Sequence, residues 1–141
     1  GDVNWGGNVH GGRIMSWIDD AANLCATHWS GTPCTSVYAG GVRFYHPVKI
    51  GHVVEVEARL LHTGHETMHV SVHVRSGEPT SPERVLTTHC LAVCAALGPD
   101  LRPTPVPHWT PLTAEDRDLD EHARHLIRLR GRGRVDVTTA G

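Results

Sequence analysis

The first part of the chain carries apolar residues at helical spacing. The recurring positions, all within residues 13–29, are Ile14, Ile18, Ala21, Ala22, Cys25 and Trp29. Steps of three and four residues place these side chains on one face of a helix. Met15, Trp17 and Leu24 add apolar groups outside that face, so the pattern predicts a helix that is buried on most sides. Gly31 and Pro33 are typical of residues that end a helix.

Four stretches after that helix have the patterns of β-strands. They cover residues 35–45, 53–62, 67–75 and 84–97. The first three alternate apolar and polar residues, which predicts an antiparallel sheet with one buried and one solvent-facing side. The fourth is apolar on both sides and is predicted to be a central strand. Gly40 and Gly41 interrupt the first alternation, which predicts a β-bulge.

The last part of the chain is Pro-rich and then helical. Residues 98–111 are predicted to be extended, and Thr113 is predicted to begin a second helix. The length of 141 residues fits one domain, which we place at residues 1–130, with a flexible tail at 131–141. One long helix followed by a meander of antiparallel strands predicts an α+β architecture in which the sheet wraps the helix.

Composition excludes several classes of partner. The formal net charge of −2, with neutral histidines, gives no global attraction to nucleic acid or to an acidic membrane surface. No apolar stretch of about 20 residues is present and no signal peptide is visible, so we expect a cytoplasmic protein without a membrane partner. The four cysteines include no C-x-x-C pair and are interpreted as buried apolar residues in a reducing compartment.

The candidate chemistry lies at the start of the first helix. Gly11 and Gly12 open the helix, where the first N–H groups have no helical partner and can bind an oxyanion. Two glycines before a helix are also common for structural reasons alone. Asp19 and Asp20 follow about two turns later. A carboxylate in an apolar helix is costly to bury unless it is paired, so both are functional candidates, although one of them can simply face solvent.

Three segments of the sequence form a recognisable set. They read N-W-G-G-N-V-H-G-G-R-I-M-S-W-I-D-D-A from Asn4, V-R-F-Y-H-P-V-K-I-G from Val42 and T-G-H-E-T-M from Thr63. Together they resemble the acyl-CoA thioesterase branch of the hotdog superfamily, the branch of the bacterial YciA-type enzymes and the vertebrate brain acyl-CoA hydrolase. The resemblance runs over residues 3–130. It implies the hotdog fold, an antiparallel sheet wrapped around one long central helix, with a C-terminal helix.

The resemblance also implies an activity, the hydrolysis of acyl-CoA to a free fatty acid and CoA. Asp19 takes the place of the catalytic carboxylate, as general base toward water or as nucleophile, and Asn4 helps to hold the water or the thioester. The N–H groups around Gly11 and Gly12 polarise the thioester carbonyl. The family shares each site between two subunits, which implies a homodimer, commonly assembled into a trimer of dimers. No cofactor is implied, because CoA is part of the substrate.

Substrate contacts are expected at several further positions. Within or near the matching segments, the candidates are His10, Arg43, Gly64, Thr67 and Arg102. The arginines are chosen because CoA carries phosphates. Arg128 and Arg130 are further candidates, with the alternative that they only complement the dipole at a helix end. His10 is interpreted as a general acid or base, as a residue at the rim of the site, or as a packed histidine.

Two positions depart from the family pattern. Gly40 stands where family members often carry an acidic residue, and the strand that usually precedes the Asn4 loop is missing from this sequence or was not included in it. The histidines are not expected to bind a metal, because His69 and His73 are too far apart along a strand to share one ion.

Two other functions agree less well with the sequence. Hydratases and dehydratases of the same fold carry a His-Phe-Pro segment, whereas this chain has N-V-H-G-G from Asn8. A non-catalytic acyl-CoA sensor is disfavoured by the complete set of Asn4, Gly11, Gly12 and Asp19.

Overall fold

A computed structural model describes residues 7–110 of the chain. The elements, in chain order, are α1 (Gly11–Ser30), β1 (Cys34–Phe44), β2 (Val53–Thr63), β3 (Thr67–Gly77) and β4 (Val85–Ala96). Each agrees with its predicted bounds to within about two residues. The predicted second helix from Thr113, the tail at 131–141 and the Asn4 loop lie outside the described residues.

The four described strands form one antiparallel sheet in the order β1-β4-β3-β2. The central position predicted for β4 is therefore confirmed, and β3 is central as well. The predicted bulge is also present, because the register between β1 and β4 shifts between Gly40 and Arg43. Gly41 has a φ of 59°, a left-handed conformation that glycine adopts without strain.

The core lies between α1 and one face of the sheet. From α1 it receives Ile14, Ile18, Ala22 and Ala26, and from β3 it receives Met68, Val70, Val72 and Val74. Helical and strand periodicity produce these two sets. Ala22 and Ala26 are both 0% exposed, because their small side chains let the helix lie close to the sheet. The predicted α+β layer, with one helix packed on an antiparallel sheet, is confirmed.

Two expectations about burial were wrong. In the described chain α1 is buried along one stripe only, and Leu24 on its opposite side is 72% exposed. On β3 the predicted solvent-facing side is covered instead at His69 and Ser71, which are 4% and 1% exposed. Side chains of neighbouring strands cover this side of β3. For example, the ring of His62 on β2 lies against the ring of His69, with 5.6 Å between the ring centroids.

The two ends of α1 are held by segments outside the strands, one between β1 and β2 and the other after β4. At its amino-terminal end, the Val9 N–H donates to the Val48 carbonyl at 2.7 Å. At its carboxyl-terminal end, Trp29 Nε1 donates to the Pro107 carbonyl at 2.8 Å. Gly31 ends the helix with a φ of 74°. Within the described part of the chain, no helix is long and apolar enough to cross a membrane.

Candidate functional site

The amino-terminal end of α1 is open to a ligand. His10 precedes the helix in an extended conformation, its side chain forms no capping hydrogen bond, and the first turn contains no acidic residue. The His10 carbonyl accepts the N–H groups of Arg13 and Ile14. The N–H groups of Gly11 and Gly12 come before the first helical hydrogen bond and point along the helix axis, so they can donate to an anionic oxygen.

The fold of the described chain does not need glycine at either position. A Cβ atom added at Gly11 or Gly12 would meet nothing within 4 Å, and neither residue has a positive φ. Alanine would favour the helix by about 1 kcal/mol. Glycine therefore leaves open space outside the helix start, which suits close approach by a ligand or by a second chain.

Asp19 lies farther along α1 and is exposed, as is Asp20. The expectation that an apolar helix would bury these carboxylates is not met in the single chain, because both lie outside the buried stripe of α1. Asp19 Oδ2 accepts a long hydrogen bond of 3.5 Å from Asn23 Nδ2. Asp20 lines an open groove on the outer side of the helix with Asn23, Leu24 and Thr27.

Ser36 on β1, which the sequence patterns did not single out, hydrogen-bonds to the residue that contacts Asp19. Its Oγ donates to Asn23 Oδ1 at 3.3 Å, and its hydroxyl also lies beside the Cys94 thiol on β4, where it opposes the rise in the pKa of that thiol. Burial raises the pKa of the Cys94 thiol to about 11, so this thiol is neutral at physiological pH. Polar residues recur along β1, and the alternation alone could not distinguish Ser36 from its neighbours.

The cysteines are all free, but not all are buried as predicted. Cys90 and Cys94 are buried, whereas Cys25 and Cys34 are half-buried. Cys25 lies on α1 and Cys34 begins β1, and both pack against the margin of the core, which explains their partial exposure.

The remaining candidate residues do not form one cluster in a single chain. Arg43 is exposed near the end of β1 that lies beside the start of α1. Gly64 and Thr67 are in the β2–β3 turn at the opposite end of the sheet, where the Gly64 N–H donates to the Thr67 carbonyl at 2.8 Å. Arg102 is at that end too, exposed and 4.0 Å from Asp100. The ends of a helix of 20 residues are about 30 Å apart.

His10 is exposed beside Gly11. It therefore does not pack among the described residues, while its interpretations as a rim residue or as an acid or base stay predictions. The strand histidines contact one another in pairs, and the rings of His73 and His89 lie 4.7 Å apart. Among residues 7–110, no three His, Cys, Asp or Glu side chains are grouped to hold a metal ion.

Stability should fall in acid because of His73. Burial, followed by the positive charges of Arg75 and Arg59, lowers its pKa below the ordinary 6.5, against the opposing effect of Glu57. Below about pH 6.5 the unfolded chain therefore binds a proton that the folded chain resists, and the free energy of unfolding decreases. His73→Gln should flatten this dependence in urea unfolding between about pH 5 and 7. His46 is exposed, and His46→Gln provides a matched control. If the free energy of unfolding of His73→Gln depended on pH as steeply as that of the wild type, His73 would not be the source of the effect.

Several known proteins that are similar to this chain are acyl-CoA thioesterases or hydrolases. A family model described as the thioesterase superfamily matches residues 6–83. The acyl-CoA thioester hydrolase YciA of Salmonella typhimurium is 29% identical over 110 residues, which cover 75% of this chain and 82% of that protein. Mouse acyl-coenzyme A thioesterase 11 is 27% identical over 91% of this chain but only 21% of its own length. A solved apo-hexameric acyl-CoA thioesterase is 30% identical, with a TM-score of 0.89, and the match covers 95% of this chain and 86% of that one.

Proposed function

This chain belongs to the thioesterase superfamily, and from that premise we propose that it hydrolyses acyl-CoA to a free fatty acid and CoA. The fold supports this function, since a four-stranded antiparallel sheet with one long helix is the hotdog architecture of the related hydrolases. The observation that carries the proposal is the uncapped start of α1, with two glycines that the described fold does not require.

The proposed reaction begins with attack on the thioester carbonyl. The N–H groups of Gly11 and Gly12 donate to the carbonyl oxygen and stabilise the negative charge that develops on it, an effect worth about 10²–10³-fold for one donor. Asp19 removes a proton from the attacking water or attacks the carbonyl itself. The carbon–sulfur bond then breaks, and CoA leaves as a thiolate that takes up a proton. If Asp19 itself attacked, the acyl group is now joined to its carboxylate as an anhydride, which water hydrolyses to the free fatty acid and the restored Asp19 carboxylate. The chain's own groups and water suffice, so no metal or cofactor is proposed.

Helix geometry supports a site that two subunits share. Gly12 and Asp19 are seven residues apart on α1, which separates them by about 10 Å along the helix axis. One carbonyl group cannot contact both at hydrogen-bonding distance. A second subunit packed in the opposite direction can bring its Asp19 to the Gly12 of the first, and a two-fold axis makes two such sites. The proposed assembly is a homodimer, further associated as a trimer of dimers, and the related solved acyl-CoA thioesterase is a hexamer.

The antiparallel packing of two subunits also brings the other predicted substrate contacts close together. His10 and Arg43 are at the amino-terminal end of α1, while Gly64, Thr67 and Arg102 are at its carboxyl-terminal end. Antiparallel association places one subunit's first set beside its partner's second set. We therefore propose that the CoA portion contacts residues from both ends, with the arginines meeting its phosphates. Asn4, outside the described residues, keeps its proposed role beside the water or thioester.

Purified protein should release free CoA thiol from acyl-CoA, measured with a thiol-reactive dye over acyl chains from acetyl to palmitoyl. Turnover is expected because the helix start and the carboxylate supply the two groups that the reaction needs. Retention of bound, unhydrolysed acyl-CoA by folded protein would instead support the sensor function. Loss of enoyl-thioester absorbance without thiol release would support a hydratase.

A further inference from the structure

One side chain connects the carboxylate on α1 with the hydroxyl group on β1. Asn23 Nδ2 donates to Asp19 Oδ2 at 3.5 Å, and Asn23 Oδ1 accepts from Ser36 Oγ at 3.3 Å. The helix and the strand are separate elements, 13 residues apart at this contact. The amide of Asn23 therefore links the Asp19 carboxylate to the Ser36 hydroxyl through one side chain.

The direction of this hydrogen-bond chain follows from its ends. An ionised carboxylate only accepts hydrogen bonds, so Asn23 must present its N–H to Asp19 and its carbonyl oxygen to Ser36. Ser36 must then donate its own proton to Asn23. The donors of Asn23 and Ser36 thus both point toward Asp19, an arrangement in which successive hydrogen bonds strengthen one another.

Among the described residues, Asn23 provides the contact that holds the Asp19 side chain. Asp19 is exposed on α1, and within residues 7–110 Asn23 is its hydrogen-bond partner. An exposed carboxylate rotates freely between rotamers, whereas Asn23 is half-buried and attached to β1 through Ser36. Both distances exceed the usual value of about 2.9 Å, as is common for catalytic contacts in a free enzyme that tighten when substrate binds.

We propose that Asn23 is a positioning residue that orients the Asp19 carboxylate for attack on the thioester and keeps it in register with Ser36. This inference rests on the proposed thioesterase function. It assigns Asn23 no contact with the substrate. Its contribution is made through the orientation of Asp19, so it should affect the chemical step and leave binding of acyl-CoA nearly unchanged.

Two substitutions separate positioning from a merely structural role. Asn23→Ala should lower kcat by about tenfold or more with KM changed less than about twofold. Asn23→Asp keeps the size of the side chain but replaces the donor by a second negative charge, so near pH 7 its kcat should be lower still. As the pH falls toward about 5, the two carboxyl groups can share one proton, and kcat relative to wild type should recover. Thr27→Ala, one turn along the same helix, is the matched control and should retain wild-type kinetics.

The outcomes distinguish this inference from the function on which it rests. If Asn23→Asp has wild-type kcat at every pH, or if both variants change only KM, Asn23 does not position Asp19. If the wild type is active and Asp19→Asn is inactive, either of these results overturns the proposed role of Asn23 and leaves the proposed thioesterase function in place. An inactive wild type overturns the proposed function as well. The isosteric Asn23→Asp variant keeps the test valid if Asn23→Ala lowers the unfolding temperature.

Discussion

Replacing Asp19 by asparagine is expected to lower kcat for acyl-CoA hydrolysis by about 10²–10⁴-fold, the usual contribution of a general base. Asparagine has nearly the same shape, and Asp19 is exposed outside the core, so the fold and the binding of substrate should persist. The measurement is CoA thiol release, with the unfolding temperature of each variant recorded beside it. A larger loss would agree with attack by the carboxylate itself, because an amide oxygen is a poor nucleophile.

The adjacent carboxylate provides the control. Asp20 is also exposed on α1, but one residue turns the helix by about 100°, so it faces a different direction from Asp19. Asp20→Asn makes the same change in charge and should retain nearly full turnover. If Asp20→Asn were inactive and Asp19→Asn active, the catalytic carboxylate would have been assigned to the wrong residue.

Periodicity predicted the described fold well because α1 and much of the outer strands β1 and β2 are buried mainly on one face. The helical stripe containing Ile18 and the alternation containing Val72 each describe a face that meets the core. The Gly40–Gly41 pair predicted the bulge, since glycine interrupts both the pattern and the hydrogen-bond register. Periodicity failed at His69 and Ser71, where neighbouring strands decide burial, and no pattern within one strand contains that information.

The candidate site was only partly predictable. Gly11, Gly12 and the pair Asp19 and Asp20 stood out as candidates because an unusual residue type occupied a particular helical position. The choice of Asp19 came from the family resemblance, and its role stays a prediction. Ser36 and Asn23 were not identified, because serine and asparagine are ordinary residues on a strand and a helix. Their importance comes from a contact between α1 and β1, which depends on how the helix packs on the sheet.

The second large effect is expected at the start of α1. Gly12→Val should lower kcat by about 10²–10³-fold, the loss that follows removal of one oxyanion donor. The valine methyl groups would occupy the space through which the thioester carbonyl reaches the N–H groups. The same space is empty in the described chain, where a Cβ at Gly12 meets nothing within 4 Å. Valine is also a better helix residue than glycine, so the unfolding temperature of the chain should not fall.

A valine on the next turn tests whether the position or the residue type matters. Ser16 is exposed on α1, and Ser16→Val adds a similar β-branched side chain about one turn beyond Gly12. It should leave turnover near the wild-type value. Equal losses in the two variants would indicate a general disturbance of the helix, and a normal Gly12→Val enzyme would remove the helix start from the mechanism.

The two inactive variants together test whether the site is shared. If Asp19 of one subunit acts with Gly12 of its partner, a dimer of one Asp19→Asn chain and one Gly12→Val chain contains one doubly damaged site and one intact site. Random pairing of equal amounts makes half of the dimers mixed, so co-expressed or co-refolded chains should recover about a quarter of wild-type turnover. If both residues served a site within one chain, every site would carry one substitution and mixing would restore nothing. Recovery would therefore show that catalysis needs the assembled protein, as the separation of about 10 Å along α1 requires.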